Sequence, residues 1–480
     1  MHDNGLVDRR EGGVWRVRLT RFDRVVLAII GLLLLGLAAT ILMGDRVGVT
    51  LVRVAPLERA RSTSPITIQF SEPMDRESVE ARLRTEPPLE GEFSWSGSSV
   101  SFRPHTPLQP GMTYTVILEK GARSDQGREV LSEHRYRFSV AQPRVAYLAP
   151  ADGAPHNIWL ASIDDPESAV QVTFSPTGVY DFGVSPDGNR IAFAERNAET
   201  GTSDIKLLDL ETGGITQLTN CQDADCTSPV WRPDGRVIAY NRTEYNRDLE
   251  SVGPGPMRVW LLDLSSSPAT TRPLFSDLQV LGYGPQWSAD GQRISLYNRD
   301  EGLLIYDFET NEITAVPSRS GNPGALSPDG ARIVFPELTF VEGQETRSFL
   351  RMADLMSQQL RNLSSPDDPV HDDRAEWRPD GSALAVARRY LDERYTRGYQ
   401  VVLMNPEDGS VEQLTDDPRY ANAFFSWSPL GDPLVIQRFP ELTEDGQPNP
   451  AGRPEIWVMD VETRALTLIA ENAFHPRWAP

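Results

Sequence analysis

Five aspartates recur in one local setting: Asp187, Asp234, Asp290, Asp329 and Asp380 each precede a glycine, and four of the five follow a proline. Carboxylates at regular intervals could form a charged ring. The setting itself offers a simpler role. Proline fixes φ for a tight turn, aspartate bonds its own backbone, and glycine takes the left-handed conformation, so a structural turn is the preferred reading. The two cysteines, Cys221 and Cys226, enclose four residues and read as a local disulfide staple in an oxidising compartment. Two cysteines exclude a disulfide-dense scaffold and a multi-cysteine zinc module. The six histidines (2, 105, 134, 156, 371 and 475) show no ligand spacing. The acidic loops with Asp223 and Asp225, Asp367-Asp368 with Asp372-Asp373, and Asp416-Asp417 lack the odd-position series of a calcium loop and read as solvated. No Gly-x-Ser-x-Gly elbow, His-Glu-x-x-His motif or phosphate loop is present. The expectation is a non-enzyme with no cofactor and no metal. Tyr245, Phe340, Tyr390 and Tyr395 sit in long segments among arginines and acids. Aromatics beside arginine are typical of binding hot spots, which makes these loops a candidate partner surface; long solvated loops without a partner are the competing reading.

The elements that position these residues repeat. Val184-Ser-Pro-Asp-Gly-Asn-Arg-Ile-Ala-Phe193 returns at Trp231, Trp287, Leu326, Trp377 and Trp427, at spacings of 47, 56, 39, 51 and 50 residues. Each unit adds a third and a fourth strand, as in Ile205-Lys-Leu-Leu-Asp-Leu210 followed by Ile215-Thr-Gln-Leu-Thr219. Four strands at this period signal a β-propeller. Arg144–Leu148 reads as a second strand without a first, and Phe474–Pro480 as a first strand with Trp478 in register. One blade is therefore split and closes the ring, which gives seven blades, with six or eight as alternatives. The Trp-Ser-Pro-Asp-Gly core with its Gln-Leu-Thr ending resembles the TolB-like propeller repeat, also found in relatives of prolyl oligopeptidase, over about two thirds of the chain. Leu430 in place of the turn aspartate and Ala289 in place of the proline depart from that pattern.

Residues 47–141 alternate apolar and polar positions over short runs, such as Ile66-Thr-Ile-Gln-Phe70 and Tyr114-Thr-Val-Ile-Leu118, separated by Pro and Gly. Period two with frequent turns predicts a small antiparallel sandwich. Ser64–Asp75, Val100–Pro104 and Leu108–Val116, with Asp125-Gln-Gly127 before the final strand, resemble the bacterial Ig-like domain, which implies a spacer or adhesion module. Val25–Met43 is nineteen residues without a charge, long enough for one membrane span over 25–44. Six arginines precede it within twenty residues and four follow, which predicts a cytoplasmic segment 1–24, a single-pass anchor in the bacterial cell membrane and the bulk of the chain outside.

The 480 residues are 39% hydrophobic and carry a net charge of -21, which excludes a disordered chain and a general nucleic-acid binder. The expected whole is all-β: one N-terminal transmembrane helix, an Ig-like sandwich (47–141) and a propeller (144–480). The expected function is a membrane-anchored binding or scaffold protein of the bacterial envelope, presenting a face to a protein or cell-wall glycan. The alternative is an envelope glycan hydrolase or lyase using carboxylates in the propeller funnel.

Overall fold

The computed structural model describes residues 20–44, 48–245, 254–277, 279–340 and 346–480. Among the described residues the fold is all-β apart from one long helix and two short helical turns: two four-stranded sheets are drawn from residues 51–140 and seven more from residues 144–479.

The first two sheets make the sandwich. One orders strands Leu51–Ala55, Ile66–Phe70, Ser99–Pro104 and Gly91–Ser96; the other orders Arg59–Ala60, His134–Val140, Thr113–Leu118 and Leu83–Glu86. Alternation does what period two requires. Ile66, Ile68 and Phe70 are buried while Gln69 is exposed, and they pack with Val100, Val116 and Phe138 between the sheets. Two details depart from an all-antiparallel reading. Arg59–Ala60 pairs parallel with Ser139–Val140. Residues Arg76–Glu80 form one helical turn, because the Asp75 side chain accepts a hydrogen bond from the Ser78 amide at 3.2 Å and caps it.

The remaining seven sheets form a β-propeller. Each is antiparallel, each touches the next, and the seventh touches both the sixth and the first. The seventh combines Arg144–Ala149, Asn157–Ser162 and Val170–Gln171 with the distant strand Phe474–Ala479. The turn at Gly188 has φ +66° and leaves no room for a Cβ against the Pro480 carbonyl, so the last residue is seated on the first sheet. Cores lie between neighbouring sheets, as where Phe193 and Ile191 of the first sheet meet Leu148 and Ile158 of the seventh. Each such side chain contributes about 1.5–3 kcal/mol when fully buried.

The Gln-Leu-Thr endings have a local cause. Thr219 Oγ1 accepts from the Ile205 amide (2.8 Å) and donates to Asp204 Oδ1 (3.0 Å), tying the start of the third strand to the end of the fourth. Thr415 repeats this with Val401 and Gln400, and Thr173 with Ile158 and Asn157. These groups are buried, where an unpaired donor costs about 1–3 kcal/mol, so the hydroxyl holds the sheet's outer half in register.

The membrane expectation requires correction. Residues Arg21–Gly44 form a continuous helix, but among the described residues no helix is long and apolar enough to cross a membrane. The single-pass anchor, the cytoplasmic N-terminus and the placement of the chain in the cell membrane are overturned on this finding. Residues 1–19 of the expected N-terminal segment lie outside the described residues.

Candidate functional site

The seven sheets touch one another mainly through their first strands, so the hub is built from Val179–Val184, Ala224–Trp231, Tyr283–Trp287, Ala325–Leu326, Val370–Trp377, Tyr420–Trp427 and Phe474–Ala479. Five tryptophans fix them. Trp231 Nε1 donates to the Gly183 carbonyl of the preceding sheet (2.9 Å), Trp287 to Val230 (3.3 Å), Trp377 to Ala325 (3.0 Å), Trp427 to Glu376 (3.1 Å) and Trp478 to Ser426 (2.9 Å). Each acceptor precedes the last hub position of its own strand by one residue. The large residue that opens each repeat is therefore the bolt between sheets.

Six of the seven first strands break register just before that bolt. Three residues ahead of the tryptophan the backbone is left-handed at Ser228 (φ 55°), Phe424 (φ 44°) and His475 (φ 57°), and Gly284 (φ 68°) takes the same place. Bulges re-aim a side chain, and left-handed backbone outside glycine is strained, so a recurrent ring of them points to function. The ring delivers Asp181, Ser228, Arg374, Phe424 and His475, and Glu376 and Arg477 follow one residue before the bolt.

These side chains form one charged cluster across five sheets. Asp181 Oδ2 accepts from the Ser228 amide (2.8 Å) and hydroxyl (2.9 Å), while its buried Oδ1 has no partner among the described residues. Burial pushes its carboxyl up to about 6, against the pull of Ser228 and Arg477. Glu376 Oε1 accepts from the Trp427 amide (3.2 Å), and Oε2 stands 3.9 Å from Arg374 Nη2. Burial raises its carboxyl too, although Arg374 and Arg477 oppose the rise. Arg477 is lowered to about 10 by burial and by Arg374. Burial, with Arg477 and Arg374, drives His475 down to about 3, so its ring is neutral near neutrality. The ring of His475 meets Phe182 and Phe424 at 5.6 and 6.1 Å, and Arg374 lies 5.5 Å over Phe424. Phe424 is nonetheless 42% exposed. The hub thus offers two arginines, two carboxyls that burial raises above the usual carboxylate range, and an open aromatic ring.

The residues singled out from sequence lie elsewhere. The turn aspartates serve their own turns: Asp187 accepts from Ser185 Oγ and the Asn189 amide, Asp290 from Ser288 and Gln292, Asp329 from Ser327 and Ala331, Asp380 from both donors of Ser382, and Asp234 from Arg232 and Arg236. Cys221 and Cys226 are joined by a disulfide, and the Cys221 amide donates to Asp204 (2.6 Å). Phe340 and Tyr395 are strongly exposed, and Tyr245 donates its hydroxyl to Asp225. Tyr390 does not belong to an open loop surface. It is buried, donates to Gln413 Oε1 (3.0 Å) and lies under Arg394 at 4.0 Å. Asp372, expected in a solvated loop, is buried in a two-pronged pair with Arg388 (2.7 and 2.8 Å). Sequence reading missed the hub cluster. Its signal was the residue three places, and one place, before each repeat's tryptophan.

Residues 45–140 match the bacterial Ig-like domain. The chain is similar to the Tol-Pal system protein TolB of Francisella tularensis, 31% identical over 101 residues, or 21% of this chain and 22% of that protein. It is also similar to tricorn protease homolog 1 of Streptomyces coelicolor, 26% identical over 142 residues, or 29% of this chain and 11% of that protein. The chain thus spans about a fifth or less of the length of these curated relatives. Among solved structures it resembles TolB from Acinetobacter baumannii at a TM-score of 0.42 and 17% identity, covering 81% of this chain and 82% of that one.

Proposed function

We propose that this chain is a binding protein of the cell envelope, in which the sandwich (47–141) acts as a spacer and a seven-bladed propeller (144–480) presents its hub to a protein or cell-wall glycan. The observation that carries this reading is the hub cluster. Register breaks place Asp181 and Arg374 beside His475 and an open Phe424, the last two on left-handed backbone, and Asp181 Oδ1 keeps an unused acceptor. Hydrogen-bonding groups held ready around an exposed ring suit recognition of a polar ligand. Phe340 and Tyr395 add exposed aromatic rings on the loops of the fourth and fifth sheets. The disulfide favours an oxidising compartment, and the local likeness to a Tol-Pal system protein favours the envelope.

The test is site-specific photocrosslinking in intact cells. A benzoylphenylalanine at position 424 or 340 is expected to trap a partner that the same probe at Leu131, exposed on the sandwich, does not. No adduct at either site, or equal adducts at all three, overturns the reading.

A second reading has its own support: Asp181 and Glu376 hold protons more tightly than ordinary acids, as a general acid must. An envelope glycan hydrolase or lyase would turn over peptidoglycan or polysaccharide fragments with a pH midpoint near 6. Loss of such turnover in D181N would replace the binding reading.

A further inference from the structure

Where the sandwich meets the propeller a cavity of about 1020 Å³ opens, lined by Arg53, Arg59, Arg61 and Arg144. Glu58, Asp187 and Glu211 also face it, but none of them forms an ion pair with Arg61 or Arg144 among the described residues, and Asp187 is engaged in its own turn. Arg144 Nε and Nη2 are shut away from solvent without a hydrogen-bond partner. Burial and the neighbouring Arg61 lower Arg144 to about 10; burial and Arg59 lower Arg61. Two half-buried guanidiniums therefore stand together, Arg144 with buried donors unused, an arrangement that costs free energy unless an anion completes it.

We infer that this cavity is a binding site for a phosphate group, free or carried as an ester, gripped between Arg61 and Arg144. The planar fork of a guanidinium matches a tetrahedral oxyanion, with two parallel charge-assisted bonds to each arginine. The cavity is larger than a bare ion needs and stands at the upper end of the usual size of small-molecule sites, which leaves room for the rest of an ester. The two grips come from different parts of the chain. Arg61 follows the short sandwich strand Arg59–Ala60, and Arg144 opens the first strand of the seventh sheet to appear in sequence. Flanking contacts already hold these parts together: Thr63 donates its hydroxyl to the Pro186 carbonyl, and Arg103 Nη1 donates to Pro233 O at 2.9 Å. A bound phosphate would add a tie between the sandwich and the propeller.

The experiment is calorimetric titration of the full chain with inorganic phosphate and with glucose 6-phosphate, in chloride at constant ionic strength, with thermal unfolding followed alongside. Saturable binding and a phosphate-dependent rise in Tm are expected, with affinity at least tenfold weaker in R61Q and in R144Q. Without phosphate, R61Q should unfold no earlier than the parent, because it removes a charge that faces another; a merely structural arginine would lower Tm. If R144Q fails to fold, R61Q alone decides. Tighter binding of glucose 6-phosphate assigns the site to an ester and tighter binding of the ion assigns it to free phosphate, and either result supports it. Binding no stronger than chloride, or unchanged in both variants, overturns it.

Discussion

In the outer turn, Asp329 accepts hydrogen bonds from Ser327 Oγ at 2.5 Å and from the Ala331 amide at 3.1 Å. At the hub, Asp181 also accepts two, both from Ser228. Burial opposes ionisation of both. At Asp329 its donors, with Arg332, outweigh burial and hold the carboxyl below the usual carboxylate range. Asp380 behaves the same way with Ser382. At Asp181 burial wins, and the carboxyl is pushed up to about 6. The number of donors is equal, so access to water decides. A turn acid is satisfied by its own turn and has nothing left to offer. The hub acid keeps an unused oxygen and a proton within reach of neutral pH, as groups that meet an outside molecule often do.

The largest effect should come from His475, the hub's extreme case. Its folded pKa lies near 3. The unfolded chain takes the proton below about 6.5 and the folded chain does not, so this contribution is present above 6.5 and fades as pH falls towards 3. Urea denaturation of the parent should show about 3 kcal/mol lost between pH 7 and pH 4 through this group. H475N, which also tolerates left-handed backbone, should flatten that slope. An unchanged slope would mean that the hub is wet and the contrast false.

Asp181 has the opposite sign. Its folded pKa is raised, so its favourable contribution is present below about 3.8 and is lost as pH climbs through about 6. D181N is expected to be about 3 kcal/mol more stable than the parent at pH 7 and equal to it near pH 4. In the turn, D329A should lose about 1 kcal/mol at pH 7, the worth of an ordinary hydrogen bond. If D181N and D329A lose stability alike, turn and hub acids are equivalent and the distinction fails.

The turns were legible because their chemistry is local. Pro, Asp and Gly in succession specify a turn whatever surrounds them, and Thr219 is tied to Asp204 only fifteen residues away. The split sheet could be read from the orphaned runs at Arg144–Leu148 and Phe474–Pro480, since a missing first strand and a spare one are both local facts. The hub was not legible, because its members come from five repeats and no single repeat contains two opposed charges except Arg374 with Glu376. Only superposing the repeats on their opening residue, Val184 in the first and a tryptophan in the others concerned, aligns Asp181, Ser228, Arg374, Phe424 and His475. Tyr390 misled for a related reason: its neighbours in sequence are polar, but Gln413, from the sheet's outer strand, covers it. The N-terminal run misled because the absence of charge was read residue by residue, whereas among the described residues no helix is long and apolar enough to cross a membrane.

Arg144 and Ala479 are paired across the seventh sheet, 479 − 144 = 335 positions apart. Bringing such distant ends together costs about 5 kcal/mol of chain entropy, roughly 3 more than a ten-residue hairpin. Six sheets can therefore nucleate from sequence neighbours, while the seventh waits for a slow, long-range encounter. His475 and Arg477 arrive with that final strand. The charged centre is consequently the last region to come into being, and a nascent or clipped polypeptide lacking its closing segment would carry nearly every sheet yet leave that centre without His475 and Arg477.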